Sequence, residues 1–180
     1  MTSKINLSQF LLLLFFLAQY AFVNGDTSLI KSTCKNTKYY KLCFSCLKSN
    51  PTSPNADTKG LALIMVGIGM TNATSTSSYL SSKSLPPTNN TSLQRVLKEC
   101  ADKYSYAGDS LQASVQDLAD EEYDYAYIHI TAAKDYPNAC HNAFKRVPDL
   151  VYPPEIASRE KGLKHICDVA MGIIDNLINI

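Results

Sequence analysis

Leu93, Leu97, Cys100, Tyr104, Ala107, Leu111, Ser114 and Leu118 follow one another in alternating steps of four and three residues. That spacing keeps them on a single narrow stripe of an α-helix of about seven turns, the pattern of a helix packed lengthwise in a bundle. Thr91 or Ser92 is placed to cap its start. Three other stretches repeat the pattern. Over residues 56–83 the stripe reads Leu63, Val66, Met70, Ala73, Ser77, Leu80. Over 122–145 it reads Ala126, His129, Ala133, Tyr136, Cys140. After Pro154 it reads Ile156, Arg159, Leu163, Ile166, Ala170, Ile173, Leu177. Pro154 suits a first helical turn, and Arg159 is expected where the last stripe reaches solvent. Pro137 falls inside the third helix and should remove a hydrogen bond and kink it. Strand patterns are nearly absent. The breaks between helices are short and rich in proline or polar residues: Asn50 to Asn55, Pro86 to Asn90, Asp120 to Glu122, and Pro148 to Pro154. Four long amphipathic helices with short links predict an all-α, up-and-down four-helix bundle over 56–180.

Residues 26–50 read as a short N-terminal helical hairpin, with Leu29, Ile30 and Thr33 on one helix and Leu42, Cys43, Cys46 and Leu47 on the other. Helices this short are not stable alone in water, so something must hold them. A Cys34–Cys43 bridge would do so. Ahead of the hairpin, residues 1–25 carry Lys4, the run Phe10 to Leu17, and the small positions Val23 and Gly25, the signature of a secretory signal peptide. Residues 26–180 are then the mature domain.

The whole chain carries 17 basic and 16 acidic side chains. Near-neutral charge speaks against a nucleic-acid binder that relies on bulk attraction. No second apolar run is long enough to span a membrane. An oxidising compartment and an even count of six cysteines (Cys34, Cys43, Cys46, Cys100, Cys140, Cys167) favour disulfides, although the count leaves the pairing open. Cys43-x-x-Cys46 has the spacing of half a zinc site, but no second close pair completes it, so no metal is expected. Asn72, Asn89 and Asn90 begin glycosylation sequons, and Asn72 falls off its stripe, so a glycan there should point outward.

The search for catalytic chemistry is negative. His129, His141 and His165 have no nucleophile in a recognisable turn beside them, and no phosphate-binding glycine motif occurs, so neither catalysis nor a cofactor is expected. Gly67 and Gly69 read as helix-packing positions. Asp117, Asp120, Glu121, Glu122 and Asp124 form an acidic cluster, best read as a solvated turn that can also serve as a binding tip. Tyr123, Tyr125 and Tyr127 follow it, and tyrosine is favoured at protein interfaces.

The chain resembles the plant invertase and pectin methylesterase inhibitor family, and within it the cell-wall and vacuolar inhibitors of β-fructosidase. The resemblance rests on Leu29 to Thr37 with Cys34, Tyr39 to Cys43, Asp57 to Met65, Leu97 to Tyr104 with Cys100, Tyr123 to Ala126, Tyr136 to Cys140, and Phe144. It implies a four-helix bundle behind a helical hairpin, with bridges Cys34–Cys43 and Cys100–Cys140. Cys46 and Cys167 match no bridge of the family and read as thiols, the alternative being a third bridge between hairpin and last helix. The implied function is not enzymatic. It is a secreted, apoplastic or vacuolar inhibitor that binds acid invertase one-to-one as a monomer and blocks its sucrose cleft. Inhibition of pectin methylesterase is the alternative, and a structural or storage bundle is a third reading. In invertase inhibitors of the family a Pro-Lys-Phe tip enters the active site. The matching positions here are Tyr123, Asp124 and Tyr125, with Glu122 beside them, so an acid replaces the expected base. At acid pH the three histidines gain charge and should ease the approach to acidic groups.

Overall fold

Asn90, not Thr91 or Ser92, starts the longest helix. Its backbone is extended, and its side-chain oxygen accepts from the Leu93 amide at 2.9 Å, which satisfies a donor that the first turn leaves orphaned. In this computed structural model residues 27–85 and 90–178 are described. Residues 1–25, read from the sequence as a signal peptide, and the sequon residue Asn89 lie outside them. The helices among the described residues are α1 (Ser28–Lys35), α2 (Tyr40–Ser49), α3 (Thr58–Lys83), α4 (Thr91–Ala119), α5 (Tyr123–Lys145) and α6 (Pro154–Ile178), with a 3₁₀ turn at Ser53–Asn55. No strand occurs among the described residues. Asp57 caps α3 by accepting from the Gly60 amide at 2.7 Å, and Pro154 occupies the first position of α6.

Helices α3, α4, α5 and α6 each pack along their chain neighbours, and α6 returns to α3, which closes an up-and-down four-helix bundle. The stripe of α4 is buried from Leu97 to Leu118 through Cys100, Tyr104, Ala107, Leu111 and Ser114. The other stripes differ from the sequence reading by single positions. On α5 the buried line runs Ala126, Ile130, Ala133, Pro137, Cys140, so Ile130 and Pro137 take the places expected of His129 and Tyr136. On α6 Glu160 is buried in place of Arg159. On α3 the line runs through Ala62, Met65, Val66, Gly69, Ala73, Thr76 and Leu80, and Leu63, Met70 and Ser77 are half-buried at its edge. A step of three or four is equally helical, and the choice between them is made by which side chain fills the gap to the neighbouring helix. Arg159 does not run out to solvent. Its guanidinium lies 4.2 Å from the Tyr79 ring centre and 3.4 Å from Glu155, and Tyr79 donates to Glu155 at 2.6 Å. Helix α5 runs through Pro137 without interruption. The Cys100–Cys140 bridge, with Cα atoms 4.5 Å apart, holds the turn after the proline against α4.

The hairpin lies on α6 and α3. A Cys34–Cys43 bridge joins its two helices, and Ile30, Cys34, Cys43 and Leu47 are buried. Gly172 lets the link between α1 and α2 come close to α6. A Cβ at that position would sit 3.2 Å from the Thr37 Cα, a contact so tight that the Thr37 backbone would have to shift to admit it. Asn36 donates to Asn176 at 2.9 Å, Lys38 lies 3.6 Å from Asp168, and the Tyr39 ring stacks on His165 at 3.8 Å.

Candidate binding tip at the α4–α5 turn

Helix α4 ends without a glycine, so its last carbonyls must be closed by other means. The Glu121 amide donates to the Leu118 carbonyl at 3.3 Å and the Glu122 amide to the Asp117 carbonyl at 2.8 Å. This is the paired C-terminal closure that requires a left-handed residue between helix and exit. Glu121 supplies it, with φ 62°, and is the one non-glycine of positive φ among the described residues. Its carboxylate accepts from Lys59 at the start of α3, at 2.9 Å. That hydrogen bond is the main cause of a raised Lys59 pKa. The turn is therefore tied to two helix ends.

From this turn α5 starts at Tyr123, with Asp124 in its first turn, where a carboxylate suits the positive end of the helix dipole. The residues singled out in the sequence, Glu122, Tyr123, Asp124 and Tyr125, come together along one open groove of about 550 Å³, with Glu121, Ile128, Leu177 and Ile178 completing its lining. Tyr125 and Ile128 are the most exposed apolar groups there, at 60% and 59%. Ile128, Leu177 and Ile178 were not foreseen. The usable signal for Ile128 was a large aliphatic four residues after Asp124 and off the buried stripe.

The acidic cluster does not act as a block of free charge. Asp117 lies 2.6 Å from His129 Nδ1, Asp120 accepts from Gln116 at 2.8 Å, and Glu121 is paired with Lys59. Glu122 and Asp124 are the acids that line the open groove. Of the histidines, only His129 stands near this end. His141 and His165 line a separate groove between α5, α6 and the hairpin, where His141 stacks on Tyr152 at 4.3 Å and stands 3.4 Å from Glu160. Glu160 also accepts from Tyr152 at 2.8 Å and pairs with Lys164. Burial works to raise its pKa, but these partners outweigh it and hold the carboxyl below its ordinary range.

Cys46 and Cys167 are free thiols, and burial raises both, Cys167 to about 12. Among the described residues no group of three His, Cys, Asp or Glu side chains is arranged to hold a metal ion, and no helix is long and apolar enough to cross a membrane. Asn90 is exposed. Asn72 does not point outward as expected. Its side-chain oxygen is enclosed, and its nitrogen lies within 3.7 Å of where a Cβ on Gly162 of α6 would stand.

The model of the plant invertase/pectin methylesterase inhibitor family matches residues 28–173. The chain belongs to this family. Its described helices, both bridges and the tip all fall within or alongside the matched span. The chain is 56% identical over 155 residues to cell wall / vacuolar inhibitor of fructosidase 2 of Arabidopsis thaliana, covering 86% of each. It is 34% identical over 154 residues to pectinesterase inhibitor 28 of Oryza sativa subsp. japonica, covering 82% of this chain and 68% of that one. Among solved structures, a mutant form of a pectin methylesterase inhibitor from Arabidopsis aligns with a TM-score of 0.64 at 22% identity, covering 82% of this chain and 96% of that one. At that identity the likeness speaks for the bundle fold alone. The family is one of inhibitor proteins, not enzymes.

Proposed function

We propose that this protein is a secreted inhibitor of acid invertase, a β-fructofuranosidase, and that it acts as a monomer that fills the sucrose cleft one-to-one. The observation that carries the reading is the 56% identity, across 86% of both chains, to a named inhibitor of fructosidase. In this proposal residues 1–25 are a signal peptide and residues 26–180 the mature inhibitor, destined for the apoplast, cell wall or vacuole. The α4–α5 turn supports the mechanism. It is a narrow end of the bundle, its backbone is closed by two hydrogen bonds, and it presents Glu122, Tyr123, Asp124 and Tyr125 beside exposed Ile128. A rigid tip loses little freedom on binding, so its aromatic contacts are realised as affinity. Asp124 stands where invertase inhibitors of the family carry a base. The contact at that position is then a hydrogen bond to a protonated carboxyl or another donor of the cleft, and Tyr123 and Tyr125 supply the area.

The 34% identity to a pectinesterase inhibitor favours a second reading, inhibition of pectin methylesterase. One titration separates the two. Oxidised protein is added to a sucrose-hydrolysis assay with acid invertase and to a pectin-demethylation assay, both at about pH 5, where such carboxyls are partly protonated. The expected result is stoichiometric loss of sucrose hydrolysis alone. Loss of demethylation alone transfers the reading to the second target, and loss of neither overturns both. Tyr125→Ala should weaken invertase inhibition by about tenfold or more, the usual scale for a central interface tyrosine.

A further inference from the structure

Between residues 27 and 56 the sequence holds five lysines, Lys31, Lys35, Lys38, Lys41 and Lys48, and no aspartate or glutamate. All five are exposed. Elsewhere in the bundle basic side chains commonly have carboxylate partners: Lys59 with Glu121, Lys134 with Asp168, Arg146 with Glu99, Lys164 with Glu160. In the hairpin, only Lys38 forms an ion pair among the described residues, with Asp168 of α6. The near-neutral total therefore conceals a cationic face.

That face also carries aromatic rings in an ordered array. Tyr40 and Phe44 stand one helical turn apart on α2, with centroids 5.9 Å apart and planes within 8° of parallel. Lys48 continues the same row, its Nζ 5.8 Å from the Phe44 ring centre. Lys41 falls beside them by helical spacing. Tyr40 is 42% exposed. The row beside it on α2 is spent on the fold, since Cys43 and Leu47 are buried.

Lysines alone would suit any anion. An exposed ring, backed by a second ring and flanked by ammonium groups, suits a narrower class, a chain of sugar rings that carries carboxylates. The C–H face of a pyranose can lie on the exposed side of Tyr40 while the carboxylates meet the lysines. An anionic membrane is a poorer fit. An interfacial helix needs a free apolar face, and the apolar face of α2 is already covered by the bundle. We propose that the Tyr40–Lys41–Phe44–Lys48 face of α2, with Lys31 and Lys35 adding to its field, is a docking surface for an acidic polysaccharide of the polyuronate class. None of its residues lines the groove at the α4–α5 tip, so the protein can be held on such a polymer while its tip stays free. The proposal does not depend on which enzyme the tip inhibits.

The test uses the mature, oxidised chain in isothermal titrations at about pH 6, where uronates are ionised. Four probes are compared: oligogalacturonate, its fully methyl-esterified form, polyglutamate of matched charge, and vesicles of phosphatidylserine and phosphatidylcholine. Oligogalacturonate is expected to bind, weakening as salt is raised from low to physiological strength. The methyl ester and polyglutamate should each bind about tenfold more weakly or worse. Lys41→Gln with Lys48→Gln, and Tyr40→Ala, should each weaken oligogalacturonate binding by a similar factor, while Lys98→Gln with Lys103→Gln on α4 should not. Phe44→Leu keeps apolar bulk at a half-buried position and removes the ring, so it reads stacking without unfolding the hairpin. Equal binding of polyglutamate, binding to vesicles alone, indifference to the α2 variants, or no binding would each overturn the proposal.

Discussion

Replacing Glu121 by glycine should make this protein more stable, although it removes a contact. At φ 62° an L-residue has its Cβ crowded against the following carbonyl, at a cost of about 1–2 kcal/mol. Glycine has no such cost, but it gives the unfolded chain more freedom, which returns about 0.5–1 kcal/mol. The balance is a gain of about 0.5–1 kcal/mol, or about 1–4 °C in Tm for a domain of this size. Against it stands the hydrogen bond from Lys59 at 2.9 Å, made by a carboxylate that is 65% exposed. An ion pair so open to solvent contributes little and is screened by salt.

Two companion variants separate the backbone from the charge. Glu121→Ala keeps the left-handed strain and drops the ion pair. Glu121→Gln does the same and retains a side chain of equal length. Both should be near wild type or slightly less stable. The assay is urea unfolding at neutral pH, followed by midpoint and slope, with equal slopes as the condition for comparing midpoints. The reasoning fails if glycine is no more stable than alanine. If glutamine were as stabilising as glycine, the gain would come from relieving repulsion with Asp117, Asp120 and Glu122, and not from the backbone. Glycine should leave the turn's two closing hydrogen bonds in place, so inhibition by the tip should be unchanged.

Three further outcomes follow from the packing. Cys100→Ala with Cys140→Ala opens a 40-residue separation and should cost about 4 kcal/mol, whereas Cys34→Ala with Cys43→Ala opens one of 9 and should cost about 2–3 kcal/mol. Urea midpoints in the reverse order would contradict the loop argument. Gly172→Ala puts a methyl 3.2 Å from the Thr37 backbone and should cost about 1–3 kcal/mol, with the hairpin becoming sensitive to protease before the bundle does. His165 has its pKa lowered, first by burial and then by Lys161. Its unfolded form therefore takes up a proton more readily than its folded form. Its contribution to stability is complete above the ordinary value of about 6.5 and is lost as pH falls through the lower folded value. His165→Phe keeps a ring against Tyr39 and should flatten that part of the Tm profile between about pH 7 and pH 5.

The fold was legible because four long stripes and three short breaks leave one simple packing. The errors fell where two side chains one position apart compete for the same stripe. Ile130 beats His129, and Glu160 displaces Arg159, since Arg159 can lie on Tyr79 while Glu160 finds Lys164, Tyr152 and His141 around it. Periodicity ranks faces, and it does not see which long-range partner makes a buried charge tolerable. The tip was half legible. Its tyrosines and acids stand out in the sequence, and the family resemblance points to the same positions. The turn that aims them does not stand out, because its left-handed residue is a glutamate where a glycine would have announced the helix end. Nor could local spacing foretell the tie to Lys59, which is 62 residues away.

Net charge was the least informative quantity, for a physical reason. It measures the field far from the molecule, while screening confines each charge to about 10 Å. Within that range this protein has distinct surfaces. The hairpin has five exposed lysines and no acid in its stretch of sequence. At the α4–α5 turn Asp117, Asp120 and Glu121 have partners, which leaves Glu122 and Asp124 to face a ligand. In the proposed complex the tip offers a partner two carboxylates, two tyrosines and an isoleucine, and an inhibitor of that make-up gains most of its affinity from buried aromatic area. Inhibition by this tip should accordingly respond more strongly to loss of Tyr125 than to neutralisation by Asp124→Asn, and the opposite ranking in the invertase titration would refute it.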